Sequence, residues 1–503
     1  MQTALPSSHP HVPLAAIDIG SNSFRLEIGQ IEAGQYRRID YVKETVRLGA
    51  GLDDQGRLSE EAAARGLACL ARFAERLRSF APWQVRAVAT QTLREASNRD
   101  EFLQRGSAAL GYPIEVISGR EEARLIYAGV AHLQPSQQPR LVIDIGGRST
   151  ELILGKGRTP LAAESFGVGS VSLSMRFFGD GRLTAEAFRA AQVAAGAEFE
   201  ESLATFERSQ WREALGSSGT AGAVSQVLAA EGITDGRITP QALAWCIERC
   251  VAAGEVDALS FAGMRPDRKP VIAGGLAILY TLCALLDIRS LKPAKGALRQ
   301  GVIIELDGRL RAESGGKSPD VRDAAVRELQ QRFQANAAQA QRVEATASAL
   351  FEQAAGPGHE RDASRELRWA AALHEIGMIV SHHDHHRHSA YLVGHADIAG
   401  FSQSQQRHLS DLVLGQRGGL RKLGDKLQSR AFVLQVMCLR LAVIAHHARL
   451  DGPARRWRLR CGADEAELSF DGSDAPDARA LYLLQEEAGH WQRAGVLKLR
   501  LRV

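Results

Sequence analysis

Two stretches of the chain are written to one plan. AAIDIGSNSFRLEIG occupies residues 15–29 and LVIDIGGRSTELILG residues 141–155. Set over one another at a single offset of 126 residues, they pair Asp18 with Asp144, Gly20 with Gly146, Ser23 with Ser149, Leu26 with Leu152 and Gly29 with Gly155. Each copy reads as a buried strand, a tight Gly/Ser turn and a second strand, which together make a β-hairpin. A constant offset implies duplicated lobes, each opened by its own hairpin. The fold expected is therefore α/β, with two related lobes.

At 503 residues the chain is too long for one ordinary domain. Hydrophobic residues make up 45% and charged residues 24%, and no apolar run approaches the roughly 18 residues a membrane span needs. A soluble, cytoplasmic protein with no integral membrane segment is expected. The N-terminal MQTALPSSHPHVPL lacks the basic start and apolar core of a signal peptide and reads as a loosely attached lead-in. Six cysteines (Cys69, Cys246, Cys250, Cys283, Cys438 and Cys461) show no CxxC spacing, as suits reduced thiols. The formal charge of +4 is mild and permits a polyanionic ligand.

After the first copy, LSEEAAARGLACLARFAERLRSF has apolar residues at helical spacing, and VRAVAT reads as a strand. After the second come FGVGSVSL, an alanine-rich helix, the strand and loop ALGSSGTAG, and VIAGGLAILYTLCALL, read as strand, turn and helix. The first lobe is placed at 1–131 and the second at 132–308. RAESGGKSPD has linker composition. Beyond it, Val326, Leu329, Phe333, Val343, Leu350 and Phe351 fall on helix faces, so a helical domain is expected over 309–452. RRWRLRC, AELSF and VLKLRLRV alternate like strands and predict a small α/β tail at 453–503.

An aspartate followed by a Gly/Ser turn can hold phosphate. The turn's N–H groups form an anion-binding nest, and the carboxylate can bind a cation or water that touches the phosphate. Three further loops have the same character: ATQTLREASN with Arg94, GSSGTAG with Ser218, Gly219 and Thr220, and GALRQG with Arg299. In VISGREEARLIYAGV, Ser118 and Glu121 have capping-box spacing, which turns Glu121 back on the first amides of a helix. Glu122 is left free at that helix start, where the dipole favours bound anions.

Together AAIDIGSNSFRL, TLREASN, VISGREEARLIYAGV, LVIDIGGRSTEL, GSSGTAGA, GGLAIL, GALRQGV, LRWAAALHEIG and HRHSAYLV resemble the exopolyphosphatase and guanosine pentaphosphate phosphohydrolase family. That family belongs to the actin, sugar kinase and heat-shock ATPase superfamily, and the resemblance covers essentially the whole chain. It implies two duplicated actin-like (ribonuclease H-like) lobes around a cleft, an all-α HD-like domain and the α/β tail. The two Asp-Gly turns would then face each other and grip a phosphate chain from both lobes. The implied reaction is hydrolysis of a terminal phosphoanhydride, with Glu122 as general base and Arg94 as a second catalytic group. Asp144 and Glu151 would place Mg²⁺ or another divalent cation, with K⁺ stimulation. Arg94, Gly146, Gly147, Ser149 and Thr150 would hold phosphate oxygens, and Asp18, Gly20, Ser21, Asn22 and Ser23 would form the opposite wall. Ser218, Gly219, Thr220 and Arg299 would complete the substrate contacts. The partners implied are inorganic polyphosphate or guanosine pentaphosphate, with no nucleic acid, and a second copy of the chain in a homodimer.

Two features depart from the family pattern. Arg148 stands where relatives carry glycine or alanine, in a turn whose φ is often positive. There a bulky side chain costs roughly 1–2 kcal/mol. It reads as a surface side chain, an added phosphate clamp or an obstruction. Ten of the fifteen histidines fall between His374 and His447. The HD metal site needs a His-Asp pair, whereas His374 is followed by Glu375. A metal site, a basic surface lining a polyphosphate path and an ordinary solvated face all remain open there. Exopolyphosphatase is the leading reading, with guanosine pentaphosphate 5′-phosphatase as the alternative. A binding module that has lost catalysis would rest on Arg148 alone. An ATP-dependent kinase or chaperone is opposed by the EEARL segment and by the lack of a separate sugar-site motif.

Overall fold

A computed structural model describes residues 12–313, 320–356, 361–450, 457–470 and 475–502. Most of the expected lead-in and the centre of the linker lie outside these residues. The chain forms two compact units, Met1–Pro319 and Asp320–Val503.

The first unit opens with an antiparallel meander of β1 (Leu14–Ile19), β2 (Ser23–Glu32) and β3 (Gln35–Thr45). Then follow α1 (Glu60–Arg76), β4 (Val85–Ala89), α2 (Gln91–Glu95), α3 (Arg99–Leu110), β5 (Ile114–Val116) and α4 (Gly119–Leu133). The sheet order is β3-β2-β1-β4-β5, with β4 parallel to β1. The second lobe repeats this with β6 (Arg140–Ile145), β7 (Thr150–Lys156) and β8 (Thr159–Phe166). It continues through α5 (Ser170–Phe177), α6 (Ala185–Phe199), β9 (Glu213–Gly216), α7 (Gly219–Ala230) and α8 (Pro240–Ala253). It ends with α9 (Ile272–Leu285), β10 (Leu291–Pro293) and α10 (Leu298–Glu313). Its order, β8-β7-β6-β9-β10, is the first sheet's topology strand for strand. Even the irregularities are duplicated. Register shifts fall between Ile28 and Gly29 in one meander and between Leu154 and Gly155 in the other, positions paired by the same offset. The α/β duplication expected from the sequence is present.

Every residue of β1 and β6 is buried, as central strands covered on both faces require. Each lobe has its own core, and a third core joins them. In it Leu14, Ala16 and Val88 of the first sheet meet Val142, Ile153 and Leu215 of the second through α4 and α10. Although α10 follows the second lobe in sequence, it packs on α4, β1 and β2. The boundaries drawn at 131 and 308 therefore fall inside α4 and α10, the two helices that share this core. VIAGG is also not strand and turn. Helix α9 begins at Ile272, and Gly274 lies inside it because a Cβ there would sit 2.5 Å from the Ser170 carbonyl oxygen on α5. The glycine serves close helix packing. The stretch Pro266–Leu285 is long and apolar enough to cross a membrane, and 61% of its most apolar window is buried in the fold.

The second unit is built from α11 (Val321–Arg332), α12 (Ala337–Ala355), α13 (Arg361–Leu373), α14 (His385–His395), α15 (Gln403–Gly415) and α16 (Arg430–Ala445). A three-stranded sheet, β11 (Arg458–Cys461), β12 (Glu465–Ser469) and β13 (Lys498–Arg502), carries α17 (Ala478–Ala494). Trp457, Leu468 and Trp491 of this tail share one core with Val343 and Leu439, so the boundary placed at 452 cuts through a single core. Arg440 on α16 makes two 2.6 Å bonds to Glu487 on α17 and ties the tail in. The histidine cluster is only partly a surface. His374, His385 and His386 are buried, and burial lowers each to about 4, which leaves them uncharged at neutral pH.

Candidate active site

The two Asp-Gly turns meet face to face. A Cβ on Gly147 would lie 3.2 Å from the Cβ of Ser21, so the missing side chain lets the second turn approach the first. Each turn is fixed by its own lobe. The Ser21 carbonyl accepts from the Gly49 N–H at 2.8 Å, and the Gly146 and Gly147 carbonyls accept from Ser170 and Val171 at 2.9 and 2.8 Å, at the start of α5. The cleft between them is lined by Asp18, Gly20, Ser21, Asn22 and Ser23 from one side and by Asp144, Gly146, Gly147 and Ser149 from the other. Glu122, Ser218, Gly219, Thr220 and Arg299 complete the expected lining. Arg94, Arg148, Thr150 and Glu151 do not line it.

Carboxylates crowd this cleft. Asp144 on β6 is the direct cross-strand partner of Glu151 on β7, whereas at the equivalent register Asp18 partners Arg25. Asp18 and Arg25 are joined by a 3.3 Å ion pair, whereas Asp144 and Glu151 are two acids. Burial, with Glu122 and Asp18 nearby, pushes Asp144 up to about 7 against the hydrogen bond from Ser217 and the charge of Arg25. Burial, then Glu122 and Asp144, raise Glu151 well above the usual carboxylate range. Ser165 donates to it at 2.8 Å. Among the described residues no three His, Cys, Asp or Glu side chains form a ready metal-binding group. Buried acids that resist ionising together are nevertheless what a hard cation would relieve, and Mg²⁺ commonly takes one or two carboxylates beside substrate phosphate and water.

Glu122 stands at the first turn of α4 and is 7% exposed. Burial raises its pKa, Arg94 opposes that rise, and Asp18 adds to it. The Arg94 Nη1 donates to Glu122 Oε2 at 2.8 Å. Glu121 is the more buried neighbour. The Ser118 hydroxyl caps its N–H at 3.1 Å, as its spacing implies, while its carboxylate takes two 2.8 Å bonds from Arg124. Its carboxylate is thus part of a buried ion network.

Four expectations are corrected by geometry. Arg94 does not hold cleft oxygens. Its guanidinium is committed to Gln91, to the Ile117 carbonyl and to Glu122. Thr150 is fully buried, and its hydroxyl donates to the Val168 carbonyl at 2.6 Å, because strand alternation turns it away from the face shared by Asp144 and Glu151. Arg299 lines the cleft but is held by Glu27 at 3.0 Å and Asp18 at 3.4 Å, under the ring of Tyr41. Its charge fixes Asp18. Arg148 has no positive φ, so the expected backbone cost does not arise. Its side chain is no cleft clamp either: it crosses to the first lobe, donating to Glu95 at 2.9 Å and to the Gly49 carbonyl at 3.2 Å.

Two arginines escaped the sequence reading. Arg25 lies two residues after Ser23 on β2 and so on the same face, a placement that period-two alternation could have given. Arg268 comes from the short 3₁₀ helix Pro266–Val271 and lies against Gly219 at the start of α7. No local pattern signals it.

The sequence matches the model of the Ppx/GppA phosphatase family over residues 28–309 and that of domain III of Ppx/GppA phosphatases over residues 321–483. An exopolyphosphatase from Cytophaga hutchinsonii is similar at 25% identity and a TM-score of 0.52, covering 59% of this chain and 98% of that one. A Ppx/GppA family member from Aquifex aeolicus is similar at 26% identity and 0.51, covering 60% and 99%. An exopolyphosphatase-like protein is similar at 26% identity and 0.53, covering 59% and 97%.

Proposed function

The chain belongs to the Ppx/GppA phosphatase family, and from that premise we propose that it is an exopolyphosphatase, releasing orthophosphate from the end of inorganic polyphosphate. One observation carries the reading. Glu122, raised by burial and oriented by Arg94, lines a cleft in which two glycine turns oppose each other. A terminal phosphoryl group held between the turns would be attacked by water as Glu122 accepts the water's proton. The P–O bond to the penultimate phosphate breaks, and that oxygen leaves with the shortened chain. General base catalysis of this kind contributes about 10²–10⁴-fold, and charge neutralisation and in-line positioning supply the rest. Asp144 at the cleft wall, backed by its buried cross-strand neighbour Glu151, would hold a divalent cation, which when bound would neutralise charge on the phosphoryl oxygens. Arg25 and Arg268 supply further positive charge along the cleft. Glycines, hydroxyl side chains and arginines make a lining suited to bare phosphates. A base would find little there to stack on, which favours the polymer over guanosine pentaphosphate.

The test compares orthophosphate release from long polyphosphate and from guanosine pentaphosphate at equal enzyme with Mg²⁺. Faster release from polyphosphate supports the proposal. Faster release from guanosine pentaphosphate transfers the same chemistry to the nucleotide.

A further inference from the structure

The side chain of Arg148 begins in the second lobe's phosphate turn and ends on the first lobe. Its Nε and Nη2 both lie 2.9 Å from Glu95 Oε2. The other Glu95 oxygen accepts from Gln91 Nε2 at 2.5 Å. The amide oxygen of Gln91 accepts from Arg94 Nε and Nη2 at 3.0 and 2.6 Å, and Arg94 Nη1 reaches Glu122 at 2.8 Å. The chemistry of the partners fixes the amide's orientation, since its NH₂ faces a carboxylate and its oxygen a guanidinium. One unbroken line of hydrogen bonds therefore runs from the turn between Gly147 and Ser149 to the general base.

We propose that Arg148 is a positioning residue for this reaction, coupling the seating of the second lobe's phosphate turn to the orientation of Arg94 and hence of Glu122. The proposal rests on the exopolyphosphatase reading for its kinetics but not for its geometry. An exposed ion pair alone contributes little. Here the Gly49 carbonyl adds a third anchor, and Gly49 has no side chain to displace the arginine, since a Cβ there would fall 2.8 Å from Arg148 Cδ. When phosphate draws the turn inward, the arginine is carried with it, and Arg94 is held where Glu122 can take the proton.

Glu122 is faced by Arg94 on α2, Asp18 on β1, Asp144 on β6 and Glu151 on β7. Arg94 is the cation among them. Loosening it raises the carboxyl's pKa and leaves less base at a given pH. Arg148→Met should therefore lower kcat for polyphosphate about tenfold near neutral pH with KM nearly unchanged, and the defect should shrink as pH rises. Arg148→Lys should recover part of the loss. Arg148→Met combined with Glu95→Gln should be no worse than the poorer single variant, because both cut one line. Independently of substrate, the Glu122 carboxyl can be titrated by NMR in glutamate-labelled protein, assigned with Glu122→Gln. It should titrate at higher pH in Arg148→Met. A rise in KM with kcat unchanged, additive single effects or an unmoved Glu122 titration would overturn the coupling. Wild-type protein silent on both polyphosphate and guanosine pentaphosphate would sink the functional reading, and the NMR titration would still decide the coupling.

Discussion

Asp144 stands across the β6–β7 hairpin from Glu151 at the register where, in the duplicated hairpin, Asp18 stands across from Arg25. One lobe pairs its turn aspartate with a cation, and the other pairs its aspartate with a second acid. The duplication thus supplies two similar turns with opposite electrostatics. One wall is balanced, and the other is short of positive charge.

That imbalance should make stability depend on pH and, with the proposed cation, on Mg²⁺. With Asp144 raised to about 7, the folded state keeps a proton that the unfolded chain releases near pH 4. Cation-free stability should therefore fall as pH rises from about 4 to about 7. A divalent cation binds the ionised form, so the gain in Tm on adding Mg²⁺ should be larger at pH 8 than at pH 5, and Asp144→Asn should abolish the difference. An equal gain at both pH values in thermal melts would show that these acids do not hold the cation.

Glu121 and Glu122 should separate cleanly. Glu121 is 2% exposed and bonded to Arg124, which also reaches Glu305, itself bonded to Arg86. Glu121→Gln should cost about 1–3 kcal/mol by weakening this buried network, while kcat stays close to wild type. Urea unfolding and steady-state kinetics on the same preparation check both halves. A collapse of kcat without loss of stability would exchange the roles of the two glutamates.

The cleft residues all precede residue 300, and the second unit has a hydrophobic core of its own. A protein ending at residue 319 should fold and hydrolyse short polyphosphates within about tenfold of the full chain, as expected of an independent domain. Circular dichroism and phosphate release report the two properties. A folded but inactive fragment would place part of the chemistry in the second unit.

The duplicated hairpins were legible because aspartate, glycine and serine recur at one offset, and the repeat extends even to the register shifts at Gly29 and Gly155. Glu122 was legible from the cap at Ser118 and the position beside it. What the sequence hid was partnership across distance. Arg148 and Glu95 are separated by 53 residues, and nothing local says that they meet. Arg268 arrives from a 3₁₀ helix, Pro266–Val271, that runs into α9 far along the chain from the turns it faces. Thr150 was misread because a motif was treated as one surface, although alternation along β7 sends its neighbours to opposite faces. VIAGG looked like a turn because glycine is permissive, while the actual reason for Gly274 is the backbone of another helix.

The most direct test of the account is orthophosphate release from long polyphosphate by wild type and Glu122→Gln, with polyphosphate binding measured on both. The amide keeps the carboxylate's shape but cannot accept the water's proton. Turnover should fall by about 10²-fold or more while Kd changes little. Retention of turnover within about tenfold of wild type, with binding intact, would contradict Glu122 as the general base.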